Sequence, residues 1–486
     1  MIKNKTFWLL FLIIIVAGFF RLYHITVTPP GLYPDEAVDG TNALEALQTH
    51  NFKVFYPENN GREGLFMNIQ AGFLKLFAVN EPWVLRLPSA IFGILTVLGV
   101  YFLAKEMFSV RIGLLSAFFT ATNFWHINFS RISFRAIMAP FFLVWALYFL
   151  IKAIRNSEFK ILNSVIGGIF YGLGFYSYIS YRITPLLLLL FIPFFVKEKG
   201  FWKVTATFLI TTFFVALPIG IYFLQHPADF MGRTTQVSIF SSASPLAELA
   251  TNTVKTLGMF NFAGDWNWRH NYSGSPELFW PVGILFIIGI IAGIWKIFKH
   301  KIQEGSEKRF SFLLVFLWFF LAMLPVVISD EGIPHALRSI LMIPPVMLLC
   351  GVGGIAVYDW IKKYEKGYWS RSAVAFLTAF AAAFIISNAY QTYFVAWANN
   401  PNVPGAFAAD YVALGRELNS LPASVPKYVV VDAGGVQVNG IPMPAQTVMF
   451  ITGTSMPEGQ KAKNIRYILP GEERNIPAGA EIFHIR

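Results

Sequence analysis

The chain has 486 residues, of which 55% are hydrophobic and 17% aromatic, whereas only 13% are charged. Soluble globular proteins carry about a quarter charged residues, so this composition excludes an ordinary soluble enzyme and indicates an integral membrane protein. The net charge of +11 comes from Lys and Arg clusters between apolar runs. That arrangement is typical of cytoplasmic loops of a multi-pass protein, so we expect membrane lipids and no nucleic acid as partners.

The first apolar run, residues 7–20, follows Lys3 and Lys5. Positive charge on this flank places the N-terminus in the cytoplasm, so the residues after the run are expected outside it. Ten further runs are close to the roughly 20 residues that a helix needs to cross a membrane, which gives about eleven transmembrane helices. The further runs are 83–104, 112–129, 136–151, 161–178, 183–196, 204–224, 279–295, 310–329, 340–358 and 373–390.

Five basic loops support this topology, because all of them fall on the cytoplasmic side when the runs alternate across the membrane. We therefore predict an all-α polytopic protein, integral to the cytoplasmic membrane, with a transmembrane domain over residues 1–390. The loops are 105–111, 152–160, 197–203, 296–309 and 362–371.

The same alternation leaves three outer loops, 24–80, 225–278 and 330–338, where we expect the active site. It also places residues 391–486 outside, as a small extracytoplasmic α/β domain. That tail has helical spacing at 406–418, and strand-like apolar runs at 428–431, 447–451, 465–469 and 481–485.

A pair of adjacent acids, Asp35 and Glu36, opens the first outer loop just beyond the first membrane span. Two carboxylates at a membrane surface indicate chemistry. The apolar residues of 65–77, later in the same loop, recur at helical spacing. They predict either an interfacial helix that lies flat on the membrane or an ordinary loop helix packed on its neighbours.

Three motifs in this topological order resemble the C-type membrane glycosyltransferases, and among them the protein O-mannosyltransferase and lipid A aminoarabinose transferase group. The resemblance covers residues 1–390, whereas the tail matches in position and size alone. The motifs are Tyr33-Pro34-Asp35-Glu36-Ala37, Gly61-Arg62-Glu63-Gly64-Leu65-Phe66 and Gly264-Asp265-Trp266-Asn267-Trp268-Arg269-His270-Asn271.

The resemblance implies a hexosyl- or pentosyltransferase that moves a sugar from a polyprenyl-phosphate donor to a hydroxyl acceptor on the extracytoplasmic face, with inversion. The acceptor is a protein, a lipid or a glycan. By the position of the motif, Asp35 is the general base, and Glu36 is its catalytic neighbour. A carboxylate that accepts the acceptor's proton during attack suits the oxocarbenium-like transition state of sugar transfer.

The departing phosphate needs its charge stabilised, and Arg suits this task because its planar fork grips phosphate oxygens in pairs. We expect the phosphate site at Arg62, His335 and Arg338, helped by Arg182 and Arg131. Arg135 is a further cation of the outer segments. The alternative for each is an ordinary helix-flanking charge at the membrane interface.

The second long loop mixes aromatic and hydrogen-bonding side chains, which suits the holding of a sugar ring. We expect Glu63, Asp265, Trp268, Arg269 and His270 to bind substrate, although an interfacial tryptophan belt is an alternative for the loop. A divalent metal held by Asp35, Glu36, Glu63, Asp265 and His270 would have no recognised ligand spacing, so no cofactor or metal is expected to be required.

Two other functions use similar residues. A transporter or lipid flippase would also place charged residues in the membrane domain, but the sequence has no evident internal repeat and its charges gather in outer loops. An outer-face polysaccharide polymerase or ligase would share the lipid-linked donor and differ in what it lengthens.

Overall fold

The computed structural model describes residues 2–155, 158–230, 239, 244–299, 306–364 and 367–486. In this part of the chain, eight helical stretches are long and apolar enough to cross a membrane, which confirms an all-α, multi-pass membrane protein. The predicted number of eleven is not confirmed, because the helices that cover the predicted spans 112–129, 161–178 and 183–196 are shorter than 18 residues. The eight stretches are Lys5–Leu22, Pro82–Met107, Arg135–Ile154, Phe201–Gln225, Trp280–Lys299, Glu307–Val327, Ile340–Lys362 and Ser370–Trp397.

Sixteen α-helices, counted over the described residues, precede the C-terminal unit. They are α1 (Ile2–Leu22), α2 (Pro34–Thr49), α3 (Leu65–Phe77), α4 (Pro82–Met107), α5 (Val110–Thr122), α6 (Phe124–Phe129), α7 (Met138–Ile154), α8 (Lys160–Gly174), α9 (Pro185–Leu188), α10 (Phe191–Phe195), α11 (Phe201–Gln225), α12 (Pro245–Gly258), α13 (Trp280–Lys299), α14 (Ser306–Val327), α15 (Ile343–Lys362) and α16 (Gly367–Tyr390).

Asn123 divides the apolar run 112–129, which was predicted as one span. Its backbone is extended, and its side-chain oxygen accepts a hydrogen bond of 3.2 Å from the main-chain N–H of His126. This is the N-cap geometry that starts a new helix, so α5 ends and α6 begins here. The run 183–196 is likewise divided into the short helices α9 and α10 after a 3₁₀ turn.

Helices α13 and α15 approach each other closely where two glycines face main-chain carbonyls. A Cβ atom on Gly289 would lie 2.0 Å from the carbonyl oxygen of Leu349, and one on Gly353 would lie 1.9 Å from that of Leu285. Only glycine fits at either position. Small residues of this kind allow membrane helices to pack backbone to backbone, where dispersion contacts replace the missing hydrophobic drive.

The first outer loop is largely helical. Helix α2 has Tyr33 at its N-cap and Pro34 at its first position, where a missing N–H costs nothing. The short strands β1 (Phe55–Tyr56) and β2 (Arg62–Glu63) form an antiparallel ribbon between α2 and α3. The predicted helix over 65–77 is present as α3, and it has one face buried against its neighbours while Leu76 is 73% exposed.

The C-terminal unit contains a three-stranded parallel sheet, in which the strand Lys427–Val431 lies between Ile465–Ile468 and Glu481–Ile485. One apolar run there was interpreted wrongly as a strand: residues 447–451 belong to a helix that starts after Pro444 and ends at Gly453 in the left-handed conformation. The elements are α17 (Asn402–Ala406), α18 (Ala409–Ser420), β3 (Lys427–Val431), β4 (Gln437–Val438), β5 (Ile441–Pro442), α19 (Ala445–Thr452), α20 (Pro457–Lys463), β6 (Ile465–Ile468) and β7 (Glu481–Ile485).

The C-terminal unit docks on α2. The hydroxyl of Thr447 donates a 2.9 Å hydrogen bond to the carbonyl of Leu32, and Thr41 donates one of 3.1 Å to the side-chain oxygen of Gln446. Beside these bonds, Leu32 and Phe450 belong to one buried apolar cluster that also includes α3 and α4 residues. Helix α2 is therefore fixed between the membrane helices and the C-terminal unit.

Candidate active site

The two adjacent acids of the first outer loop face different surroundings. Asp35 is half-buried and lines an open cleft, where its carboxylate accepts a 2.5 Å hydrogen bond from the amide of Asn59. Glu36 is completely buried on the other side of α2. Consecutive helical residues point about 100° apart, so one backbone presents one acid to the cleft and the other to the protein interior.

Glu36 acts as an anchor for the loop. Its carboxylate accepts two 3.0 Å hydrogen bonds from the guanidinium of Arg86 on α4, and a 2.7 Å bond from the main-chain N–H of Ser133. It also accepts a 3.3 Å bond from the N–H of Tyr33, which closes the capping box of α2. Arg86 in turn donates to the carbonyls of Pro29 and Gly31. The residue expected as a second catalytic acid therefore positions Asp35 rather than reaching the cleft.

The cleft beside Asp35 has a volume of about 460 Å³ and lies where the first outer loop meets the starts of two helical segments. Its wall combines charged and aromatic side chains, so it can hold a polar ligand that has an apolar face. The lining residues are Asp35, Asp39, Arg62, Phe134, Arg135, Ala136, Tyr178 and Leu337.

Arg62 lies in the cleft as the sequence predicts, and it is held there by Asp39. Its Nη1 forms an ion pair with the Asp39 carboxylate and also donates 3.4 Å to the main-chain oxygen of Asp35. Burial raises the pKa of Asp39 in spite of the opposing charges of Arg62 and Arg135. The Nη2 atom of Arg62 is buried and has no hydrogen-bond partner among the described residues, so it can bind an anionic ligand in the cleft.

Glu63 joins two arginines at the rim of the cleft. It pairs with Arg135 at 2.8 Å and with Arg182 at 3.5 Å. Burial acts to raise the pKa of Glu63, but the two positive charges outweigh it and hold the pKa below its ordinary value. Glu63, which was expected to touch substrate, thus orients cations. Arg135 also lies over the ring of Tyr178, 5.8 Å from its centroid.

An apolar groove of about 1050 Å³ runs along the C-terminal half of α11 and ends at Pro227 and Phe230. The guanidinium of Arg182 lies over the rings of Phe223 and Phe230, at 4.8 and 4.4 Å from their centroids. Phe223 and Phe230 line the groove, and Arg182 pairs with Glu63 beside the cleft. Arg182 therefore connects an apolar surface with the charged cleft.

Besides Arg182, three expected phosphate ligands lie outside the lining of the cleft. Arg131 is fully buried, donates to the carbonyls of Phe20 and Thr28, and packs over the ring of Tyr393. Arg338 pairs with Glu331 at 3.1 Å. His335 lies 3.8 Å from Asp265 of the second long loop. Leu337, which lies between His335 and Arg338 in the loop 330–338, does line the cleft.

Asp265 gathers His270 and His335, and these three are the one described group with ligand atoms close enough to hold a metal ion, within 4.8 Å of one another. Two imidazoles and a carboxylate are a donor set that first-row transition metals accept. The Asp265 carboxylate is also hydrogen-bonded to His270 at 3.0 Å and to the main-chain N–H groups of Asn267 and Ala336, both at 2.8 Å. Burial acts to raise the pKa of Asp265, but the bond and charge of His270 keep it below its ordinary value. Through these contacts, Asp265 links the loop 225–278 to the loop 330–338.

Of the other expected substrate residues of this loop, Arg269 lies near the start of α2. The guanidinium of Arg269 stacks on the ring of Tyr33, 3.7 Å from its centroid, and its buried Nε has no hydrogen-bond partner among the described residues. The carbonyl of Trp268 accepts a 3.0 Å hydrogen bond from Trp397. Trp268 thus joins the loop to the π-helical turn Gln391–Trp397 that follows α16.

Sequence reasoning missed Asp39 and Tyr178, and it underrated Arg135. Asp39 carried a signal, because it follows Asp35 by four residues and an i, i+4 pair shares one face of a helix. Arg135 lies next to Ser133 and Phe134 in a segment whose position at the cleft depends on the buried Glu36–Ser133 contact. That long-range contact has no sequence signature.

Residues 65–222 match the family model described as dolichyl-phosphate-mannose-protein mannosyltransferase. This segment includes α3 to α10 and most of α11, and therefore Arg135 and Arg182 but not Asp35. At the level of whole sequences, no match is found among curated proteins.

Two solved structures share the fold over nearly the whole chain. The archaeal oligosaccharyltransferase AglB from Archaeoglobus fulgidus, in complex with an inhibitory peptide and a dolichol-phosphate, has a TM-score of 0.58 at 14% identity, covering 92% of this chain and 64% of its own. ArnT from Cupriavidus metallidurans, bound to undecaprenyl phosphate, has a TM-score of 0.56 at 11% identity, covering 100% of this chain and 90% of its own. The chain thus spans about two thirds of the archaeal enzyme's length.

These two neighbours and the matching family model belong to one superfamily of membrane glycosyltransferases. The resemblance seen in the sequence is thereby confirmed: this multi-pass membrane protein has the fold of the C-type membrane glycosyltransferases.

Proposed function

We propose that the protein transfers a sugar from a polyprenyl-phosphate donor to a hydroxyl acceptor on the extracytoplasmic face of the membrane, with Asp35 as the general base. The observation that carries this proposal is a chain of contacts between an apolar groove and a charged cleft. Arg182 lies over Phe223 and Phe230 of the groove and pairs with Glu63, which in turn pairs with Arg135 of the cleft. A lipid-linked phosphate needs both surfaces in contact, because its isoprenoid chain is apolar and its phosphate is anionic.

The groove suits the isoprenoid chain. It lies on α11, whose Phe213, Phe214 and Leu224 are 59%, 64% and 82% exposed. In a membrane these side chains face lipid, so a polyprenyl chain can enter from the bilayer without first crossing water. Both structural neighbours described above hold a polyprenyl phosphate of this chemical kind.

The cleft suits the phosphate and the sugar. Arg62 and Arg135 line it, and each is oriented by a buried carboxylate, which fixes the guanidinium before the ligand arrives. Preorganised cations of this kind stabilise the charge that grows on a departing phosphate. Tyr178 and Phe134 offer apolar faces for the sugar ring.

Two carboxylates line this cleft, and Asp35, at the start of α2, is the more exposed of them, because Asp39 is buried and paired with Arg62. As the acceptor oxygen attacks the anomeric carbon, its proton passes to the Asp35 carboxylate. The bond between that carbon and the phosphate oxygen breaks, and polyprenyl phosphate leaves with the bonding electron pair. One displacement of this kind inverts the anomeric configuration. Glu36 and Asn59 hold Asp35 in place for this step.

The side of the membrane is proposed from the charge pattern. Helix α4 begins next to the first outer loop and ends at the basic segment 105–111, and α7 likewise ends at Lys152. Basic segments remain cytoplasmic, so the cleft at the opposite ends of these helices would be extracytoplasmic.

The test is release of polyprenyl phosphate from a panel of polyprenyl-phosphate sugars by purified protein in detergent, with a membrane extract as acceptor. We expect release by the wild type and a loss of about 10²–10⁴-fold in Asp35→Asn, the range that a general base contributes. The matched control is Asp410→Asn, which changes an exposed acid in the first turn of α18.

Normal turnover by Asp35→Asn would refute the assigned base. If the wild type binds the polyprenyl-phosphate sugars but releases polyprenyl phosphate from none of them, the transporter function gains support instead. If it joins repeated units into a longer glycan, the protein is a polymerase.

A further inference from the structure

A second pocket, of about 490 Å³, lies between α2 and the C-terminal unit. Helix α2 supplies Thr41, Asn42 and Glu45 to one wall. The β4–β5 hairpin, α19, and α20 with the segment leading into it supply the others. This pocket lies apart from the cleft, and the two share no lining residue.

Two buried amides in opposite walls are incompletely used. Asn42 is 4% exposed, and its Nδ2 has no hydrogen-bond partner among the described residues. Gln446 is also 4% exposed, and its Nε2 donates to the sulfur of Met449 at 3.4 Å. A thioether is a weak acceptor, so both amides have donor capacity left for a ligand. A buried donor without a partner costs stability, so a ligand that accepts a hydrogen bond from Asn42 would recover that cost.

The chemistry of the lining selects a neutral ligand. Besides these amides, Asn439, Ser455 and Gln460 contribute uncharged polar groups, while Glu45 is the single charged side chain among the described lining residues. Glu45 is engaged by Lys53 at 3.2 Å. Without a cation in the lining, a phosphate or an acidic sugar would be poorly stabilised, so the lipid donor does not fit here.

Apolar side chains complete the lining with Val438, Ile441, Met449 and Met456. A sugar matches such a mixed wall, because its hydroxyl groups both donate and accept hydrogen bonds and its ring has apolar faces. An extended peptide would need a row of free main-chain groups along a strand. The strands at this pocket, β4 and β5, have two residues each and already pair with each other.

The position of the pocket connects it to the cleft. Asn42 follows Asp35 by seven residues and Asp39 by three, so the three side chains share one stripe along α2. At 1.5 Å per residue, Asn42 lies roughly 10 Å along the helix from Asp35. A ligand anchored at Asn42 could therefore extend along α2 and present a hydroxyl to Asp35.

We propose that this second pocket binds a neutral sugar residue of the acceptor, which makes the acceptor a neutral glycan. The identification of this sugar as part of the acceptor rests on the proposed function. Sugar binding in the pocket does not depend on it.

The experiment measures binding to the purified full-length protein in detergent. The probes are neutral oligosaccharides of two to four sugars, acidic oligosaccharides of the same length, and peptides rich in Ser and Thr. The variants are Asn42→Leu, which removes the unpartnered amide at nearly constant volume, and Ser455→Trp, which fills the pocket from the opposite side. The matched control is Gln48→Leu, which changes an exposed amide on the same helix.

We expect neutral oligosaccharides to bind the wild type and Gln48→Leu equally. Asn42→Leu should bind them about tenfold more weakly, the effect of one lost hydrogen bond, and Ser455→Trp more weakly still, because its indole fills the pocket. With such an acceptor, Asn42→Leu should raise the acceptor KM about tenfold and leave kcat at saturation within twofold. Its melting temperature should not fall, because Nδ2 makes no bond to lose.

Equal binding by wild type and both pocket variants would overturn the assignment, and so would binding of peptides but not of sugars. Sugar binding that depends on Asn42, together with no release of polyprenyl phosphate from any donor, would support the pocket and refute the transferase function. The experiment can therefore refute the sugar pocket and the transferase function independently of each other.

Discussion

Replacing Glu36 by Gln should unfold the protein far more readily than replacing its neighbour Asp35. The Glu36 carboxylate is completely buried and accepts hydrogen bonds from Arg86, Ser133 and Tyr33. A glutamine keeps the shape but exchanges one acceptor oxygen for an NH₂ group. That group would face donors on every side, and the guanidinium of Arg86 would lose its counter-charge while being 1% exposed.

Breaking a buried ion pair by removing one partner costs about 3–5 kcal/mol, because an uncompensated charge stays behind. Whole proteins are stable by about 5–15 kcal/mol, so this loss is a large fraction of the total. The Asp35→Asn change alters a half-buried side chain with one side-chain hydrogen bond, for which about 0.5–1.5 kcal/mol is expected.

Thermal unfolding in detergent, followed by tryptophan fluorescence, measures the difference. We expect Glu36→Gln to melt well below the wild type and Asp35→Asn to melt close to it, although the latter is inactive. The double variant Glu36→Gln with Arg86→Met should be less damaged than the sum of the single changes, because the two share one interaction. Wild-type melting of Glu36→Gln would refute the anchor role.

Three further outcomes are expected. The folded-state pKa of Glu63 lies below its ordinary value, so its pairing stabilises the protein fully above about pH 4.5 and is lost as the pH falls through the folded pKa. Glu63→Gln should therefore be less stable than the wild type by about 1–3 kcal/mol at pH 7, and thermal melts should show this difference shrinking as the pH falls below about 4.5. Gly220→Trp should fill the α11 groove and raise the KM about tenfold for donors with a long isoprenoid chain, but not for donors with two isoprene units. A tenfold change is equivalent to about 55 Å² of lost apolar contact. The control Gly18→Trp should leave the KM unchanged, and at both glycines an added Cβ would meet no atom within 4 Å. Chelation with EDTA should change the rate of polyprenyl phosphate release by no more than about twofold, because the carboxylate of Asp265 already accepts hydrogen bonds from the protein. A large loss of activity that one divalent metal restores would contradict this expectation.

The sequence was informative wherever composition or a local rule decides the structure. Apolar runs predicted the membrane class, and the helix over 65–77 followed from its spacing. Asn123 also carried a readable N-cap signal, which was overlooked inside a long apolar run. Similarly, Pro444 and Gly453 flank the run 447–451 and mark helix ends, but its β-branched residues favoured a strand.

The site was less predictable, because its assignments depend on contacts between distant segments. Nothing local distinguishes Asp35 from Glu36: which of them enters the cleft depends on how α2 is rotated, and Arg86 and Ser133 set that rotation. Arg131 likewise resembles an ordinary outer arginine in the sequence. Its burial comes from the carbonyls of Phe20 and Thr28, more than a hundred residues away.

The docking of the C-terminal unit on α2 has a consequence for biosynthesis. Thr41 and Gln446 are separated by 405 residues and Leu32 and Thr447 by 415, so helix α2 is completed by residues that are synthesised much later. At the usual 5–20 residues per second, α2 waits roughly 20–80 s for its partner after leaving the ribosome. During that interval its apolar side is uncovered, and chains released early would keep it so. Nascent α2 is therefore the segment where we expect chaperones to bind and proteases to cut first.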